Sequence, residues 1–172
     1  MKKKQLVKDI LSLIHNQGLE KEIIEALTSN QQNVSERKEK TSNGYQIYYD
    51  EATGKAVGIV YKNMVFLKNT SKKKLHWYDA AIYCKTVVIN GITSRLCPAD
   101  ESWKTEFKKI AGNLYKALLE IGAENLDDLT WAAECNANYA WSQSFGNGNV
   151  TSYGKTFYSG YVRPVLILDK KI

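Results

Sequence analysis

The chain has 172 residues, 44% of them hydrophobic and 24% charged, with eleven Tyr, four Trp and only two Pro. That length supplies one domain plus extra chain, with core enough to fold without disulfide staples or a structural metal. The composition excludes wholesale disorder, collagen-like repeats and a membrane bundle.

The net charge of +6 is spread along the sequence, eight Lys/Arg against six Asp/Glu in residues 1–40 and the remaining +4 beyond. The densest run, Lys72-Lys73-Lys74, stands just before a helical pattern and reads as a solvated entrance. No nucleic-acid face and no membrane span are predicted.

The start, Met1-Lys2-Lys3-Lys4, is basic, but Lys8 and Asp9 interrupt the apolar residues after it and no small-residue cleavage site appears. A chain made without secretory export is expected, cytoplasmic or virion-associated. Residues 5–28 read as a helical segment. Leu6, Ile10, Leu13 and Ile14 share one face, Gly18 interrupts, and Leu19, Ile23, Ala26 and Leu27 resume it. So short an apolar stripe needs a surface to pack on, either the body of the chain or a docking partner, which includes a homo-oligomer. Residues 29–44 are almost wholly polar and form the expected linker and domain boundary.

From Tyr45 the pattern changes to strands. Gln46–Tyr49, Ala56–Tyr61 and Met64–Leu67, separated by turn residues, read as a meander. Two helices come next. In the first, Leu75, Tyr78 and Ile82 make a stripe, with Trp77, Ala81 and Cys84 beside it. In the second, Trp103, Phe107, Ile110, Leu114, Leu118 and Ile121 repeat at three and four, with Pro98, Asp100 and Glu101 suited to its start and Gly122 to its end. From Trp131 onward, short aromatic pieces alternate with Asn, Ser, Gly and Thr, until a last strand over Tyr161–Leu168.

Catalytic chemistry is hard to assemble from these residues. Cys84, Cys97 and Cys135 show no CxxC spacing, and with His15 and His76 the only histidines, neither a zinc site nor a disulfide framework is predicted. Reduced, buried thiols are expected. Neither His has a nucleophile in a recognisable motif, and Asp127-Asp128 and Glu134 read as cap or loop carboxylates. There is no P-loop, no GxGxxG and no calcium loop, so no active site, cofactor or metal is predicted. Binding fits better. Between Cys135 and Tyr161 stand thirteen Asn, Ser, Thr or Tyr residues. Those types build adaptable recognition surfaces, and they also build turns.

The order of features carries a resemblance. Trp77-Tyr78-Asp79-Ala80-Ala81-Ile82-Tyr83-Cys84, Asn90-Gly91, Arg95-Leu96-Cys97-Pro98 and Glu101-Ser102-Trp103 stand in succession. Trp131, Glu134, Ala140-Trp141, Phe145, Gly148-Asn149-Val150, Lys155 and Tyr161-Val162-Arg163-Pro164-Val165 continue the series. Over residues 45–168 the chain resembles C-type-lectin-like domains of the formylglycine-generating-enzyme type and bacterial major-paralogous-domain proteins. Within that group it is similar to the variable proteins of diversity-generating retroelements, including phage tropism determinants.

The resemblance implies an α+β, C-type-lectin-like fold over 45–172, with two helices and a twisted, mainly antiparallel sheet, preceded by the N-terminal helical segment. It places the Tyr45–Tyr61 strands near the closing strand. It implies a non-enzymatic receptor-binding surface for a protein or other macromolecular ligand, drawn from Asn136, Asn138, Tyr139, Ser142, Ser144, Asn147, Asn149, Ser152, Tyr153, Tyr158 and Ser159. Trp131, Trp141, Phe145, Val162 and Arg163 are the implied framework. A surface adhesin without diversification and a formylglycine-generating-type enzyme are the alternatives. The calcium motifs of sugar-binding lectins are absent, and only Cys135 lies where the enzymes use a cysteine pair, so neither chemistry carries over.

Overall fold

The computed structural model describes residues 39–124 and 128–169, which fall in one unit beginning at Lys38. The helical segment expected over 5–28, the linker before Glu39, and Asp127 lie outside the described residues.

The body is α+β. Antiparallel strands β1 (Ile47–Tyr49), β2 (Ala56–Tyr61) and β3 (Met64–Leu67) form a meander, and β9 (Val165–Ile167) completes a four-stranded sheet in the order β1-β2-β3-β9. The closing strand shares a sheet with β1 and β2, but its direct partner is β3, with Phe66 opposite Val165. It is also shorter than the expected Tyr161–Leu168. Pro164 has no N–H to give to a ladder, and before it the Val162 N–H is donated to Ser71 Oγ at 3.0 Å.

Both faces of this sheet are covered, which is why Met64–Leu67 reads as an unbroken apolar run. Ile59, Met64, Phe66 and Val165 face one core, while Val60, Val65 and Leu166 face another, beneath the hairpin of β4 (Val88–Ile89) and β5 (Ile92–Thr93). That hairpin turns on Asn90 and Gly91, at φ 51° and 77°, the two left-handed residues that a tight turn of this twist requires.

Helix α1 (Trp77–Thr86) buries Ala80 and Cys84. The Leu75, Tyr78 and Ile82 stripe is split: Leu75 packs on the core, while Tyr78 and Ile82 point outward, 51% and 61% exposed. The reason lies in α1's neighbours. Leu96, Trp131, Ala140 and Val162 pack on the small-residue side of the helix, where Ala80 lets them approach. Helix α2 (Glu101–Glu120) follows its periodicity. Trp103, Phe107, Leu114 and Leu118 are buried, joined by Ala111, Tyr115 and Ala117. The Asp100 side chain caps it, accepting the Trp103 N–H at 2.8 Å. Gly122, at φ 83°, ends it, with Gly122 N–H to Leu119 O and Ala123 N–H to Leu118 O, the paired bonds of a glycine C-cap.

The second sheet, β6 (Leu129–Glu134), β7 (Tyr139–Ser144) and β8 (Val150–Gly154), is antiparallel, with β7 central. Trp141 and Val150 join the α2 core, whereas Trp131 and Ala140 join the α1 core. Residues 39–44 also belong to the folded body, although their polar composition reads as linker. The Ser42 N–H and hydroxyl are both donated to the Glu120 carboxylate, and Asn43 Nδ2–H to Asn113 O.

Candidate functional site

One end of the three-stranded sheet gathers most of the candidate residues. There the β6–β7 turn lies beside the loop after β8. The Lys155 N–H is donated to Asn138 O at 3.0 Å, and the Trp77 N–H, at the start of α1, to Lys155 O at 3.2 Å. Two short turns and a helix start are thereby fastened edge to edge.

The Lys155 side chain completes the fastening. It is 3% exposed, and its Nζ–H groups are donated to Glu134 Oε1 at 2.6 Å and to Ala137 O at 3.1 Å. The ammonium also sits 4.6 Å from the Trp77 ring centre and 5.8 Å from that of Tyr78. A buried cation is costly unless paired; here a carboxylate, a carbonyl and two aromatic faces supply the pairing. Glu134 keeps half its side chain in water, so the pair is not fully desolvated.

The turn itself is built by Asn136. Its Oδ1 accepts the N–H groups of Asn138 and Tyr139, each at 3.0 Å, the local bonding that suits Asn to turns. On the other loop, His76 Nδ1 lies 3.0 Å from Tyr158 O and 3.4 Å from Ser159 Oγ. Tyr158 stacks on Tyr153 with ring centres 4.3 Å apart and meets Trp131 edge-on at 6.3 Å. Outside this fixed layer, side chains stand in solvent. Phe157 is 95% exposed, and Tyr139, Tyr158 and Tyr78 are exposed as well.

The structure divides the eleven predicted surface residues. Asn136, Asn138, Tyr139, Tyr153, Tyr158 and Ser159 come together at this tip. Tyr153 is half-buried and packs on the α1 core, so its ring belongs to the frame as much as to the surface. Ser152 is exposed in the middle of β8. Asn147 and Asn149 are exposed at the opposite end of the sheet, where Asn147 Oδ1 accepts the Asn149 N–H at 2.9 Å. That far turn abuts α2. Gly148 sits at φ 73°, and a Cβ there would fall 3.1 Å from Lys108 Cα.

Ser142 and Ser144 do not stand outward. Ser142 is 1% exposed and Ser144 is also buried, because β7 is the central strand of a sheet covered on both faces. The Ser142 hydroxyl is donated to Thr130 O at 3.2 Å, as the Thr130 hydroxyl is to Gln143 O at 3.1 Å. A polar side chain in that position bonds along the sheet and reaches no ligand.

The implied framework residues Trp131, Trp141, Phe145, Val162 and Arg163 are all buried. Two of them act through bonds that hydrophobicity does not forecast. The Trp131 indole N–H is donated to Leu75 O at 2.7 Å. Arg163 donates Nη1–H to Leu67 O and Lys68 O, each at 2.9 Å, and lies over the Phe145 ring. Burial lowers the Arg163 pKa to about 10, with Tyr115 and Glu124 opposing the shift. The group stays protonated at neutral pH.

Sequence reasoning missed Phe157 as a surface group and Lys155 as the fastening. A signal for Phe157 is present: an apolar ring among Lys155, Thr156, Tyr158 and Ser159 fits neither an alternating strand nor a helical stripe. For Lys155 the signal is its place, with Glu134, in the series that carries the resemblance; composition and periodicity do not mark it for burial.

For catalysis the described residues offer little. Burial pushes the Cys84 and Cys97 thiols up to about 12, which leaves them without reactive thiolate at neutral pH. Cys135 is exposed rather than buried as expected, because it begins the solvent-facing β6–β7 turn. Asp128 and Glu134 do not pair with each other; each is held by a lysine, Lys74 and Lys155. Among the described residues, no group of three His, Cys, Asp or Glu could hold a metal ion, and no helix is long and apolar enough to cross a membrane.

No family model matches the sequence, and no curated protein sequence matches it.

Proposed function

We propose that this protein is a non-enzymatic recognition module. A C-type-lectin-like scaffold holds an aromatic and polar tip that binds a protein or other macromolecular ligand, and the tip's outward positions are those a diversity-generating retroelement rewrites. The observation that carries the reading is Phe157, 95% exposed beside Tyr139, Tyr158 and Tyr78, on turns whose backbone is locked through Lys155.

Exposed rings in a cluster mark interaction sites. Tyr and Phe supply large contact area for few rotatable bonds, and a pre-ordered backbone spares the ordering cost of binding. The two helices, the mainly antiparallel sheets and the buried Trp131, Trp141, Phe145, Val162 and Arg163 support the scaffold part. The outward set keeps Asn138, Tyr139, Ser152 and Tyr158 of the eleven residues that the resemblance implies and adds Phe157.

A phage-displayed library randomised at those five positions tests it. Most clones are expected to stay protease-resistant, and panning against immobilised folded proteins enriches binders with aromatics at 139, 157 and 158. A mostly unfolded library, or one from which nothing enriches, overturns the reading. Sequencing the surrounding DNA tests the diversification part: a near-repeat of the 3′ coding end, mismatched at adenines, is expected beside a reverse transcriptase, and its absence removes that part alone.

A further inference from the structure

We infer that α1 carries a second docking site, a short groove that takes an acidic–apolar peptide segment of a partner protein. The groove, about 440 Å³, runs between α1 and the chain around Leu96. Trp77, Ala81 and Lys85 line it from the helix, and Arg95, Leu96 and Ala133 from the other side. The i, i+4, i+8 spacing of the three helix residues puts them on one face, so the groove runs along the helix for about 12 Å. That length accommodates about four residues of extended chain.

Its two ends differ chemically. At the Trp77 end the lining is apolar, and the indole is held in place by its N–H to Ala132 O at 2.9 Å. At the other end stand two cations. The Ser94 hydroxyl is donated to Cys84 O at 2.6 Å, which brings Arg95 alongside the last turn of α1 and so near Lys85. Both cations are exposed, and among the described residues neither has an ion-pair partner. Lys62, Lys74 and Lys155, by contrast, each hold a carboxylate. Beside the groove, Tyr78 and Ile82 form an uncovered apolar ridge one step round the helix, the stripe whose periodicity suggests a core face.

An apolar floor, an apolar shoulder and two cations at one end complement a peptide with an aliphatic side chain followed, two to four residues on, by carboxylates. Charge decides the occupant. A basic peptide would meet Lys85 and Arg95 without compensation, and a purely apolar one would leave them unpaired.

Fluorescence anisotropy with three labelled synthetic hexapeptides tests the assignment, one carrying Leu followed by two Glu, one with Lys in place of Glu, and one with Ser in place of Leu. The first is expected to bind with a Kd below about 1 mM, and the other two about fivefold or more weaker. The double variant Lys85→Glu/Arg95→Glu should lose the Glu peptide by about tenfold and gain the Lys peptide. Both substituted positions are exposed, and an unchanged melting temperature confirms the fold. Ala81→Phe, which fills the groove, should weaken the Glu peptide, whereas Tyr139→Ala/Phe157→Ala at the tip leaves it unchanged. No binding by the Glu peptide, equal binding by all three peptides, or charge-swap affinities that do not move overturns the inference. So does dependence on the tip residues, which would assign the peptide to the tip.

Discussion

The two sheets are held in different ways. The four-stranded sheet and α2 share an apolar, largely aromatic core, in which Phe66 stacks on Trp103 and Phe107 meets Phe145 edge-on at 5.2 Å. The three-stranded sheet's tip is held by directed bonds instead: Lys155 to Glu134 and Ala137, the Trp77 and Trp131 indoles to backbone carbonyls, Asn136 to its own turn. Nondirectional packing fills a volume and tolerates little change in it. Directed bonds fix a backbone path while leaving outward side chains without structural work. By this contrast, outward side chains at the tip can be replaced at less structural cost than buried ones in the α2 core.

The largest expected effect is on the apolar side. Phe107→Ala removes a ring buried against Trp103 and Phe145 and should cost about 3–5 kcal/mol, read from a denaturant midpoint. Lys155→Met should cost less, about 2–3 kcal/mol, because Glu134 is released into water rather than left buried and unpaired. Its signature is local. Hydrogen exchange should speed up at Tyr139 and Lys155, whose amides lie in the fastened turns, while the amides of α2 slow or quicken only with global stability. Equal loss of protection in both regions would show that the tip and the core are one cooperative unit and dissolve the contrast.

How far the sequence announces the fold obeys the same division. The second helix is legible nearly residue by residue, because Trp103, Phe107, Leu114 and Leu118 obey one period and Asp100 and Gly122 mark the ends. The meander is legible because turn residues separate apolar runs. α1 misleads, since Ala80 and Cys84 make a small-residue face, and periodicity weighs Tyr78 and Ile82 more heavily than the alanines that decide the packing. In the last third of the chain, composition marks out an Asn-, Ser- and Tyr-rich stretch but cannot sort its outward residues from its buried ones. Ser142 and Ser152 are the same residue ten positions apart, one on a central strand and one on an edge. Strand order, which no local pattern encodes, makes that difference.

That pair gives the next test. Ser142→Tyr forces a ring into a covered sheet and should destabilise by about 1–3 kcal/mol. Ser152→Tyr adds the same ring to an exposed position and should stay within about 0.5 kcal/mol. Thermal melts of the two variants suffice. A tolerant Ser142 would mean that β7 is open on one face, and would return that position to the proposed binding surface.

Acid should produce the smallest effect, and it probes both regions at once. Glu106 is held below the usual carboxylate range chiefly by its bond from Lys62, with the Tyr61 hydroxyl adding to it; Asp128 is held low first by Lys74 and then by the Leu129 N–H. A carboxyl whose folded pKa is lowered contributes stability above its unfolded value, about 4, and loses that contribution as pH falls through the folded value. Melting temperature should therefore be level from neutral pH down to about 5 and decline below about 4. Both groups are half-buried and still reach water, which screens them, so the decline should be smaller than the loss from Ser142→Tyr. Glu106 ties α2 to the β2–β3 hairpin, whereas Asp128 ties the start of β6 to the segment before α1. Glu106→Gln and Asp128→Asn should each flatten part of the acid limb. If Asp128→Asn flattens it far more than Glu106→Gln, the polar-bonded half of the molecule is also the half that acid opens first, as expected where charge-assisted bonds rather than packing hold the chain.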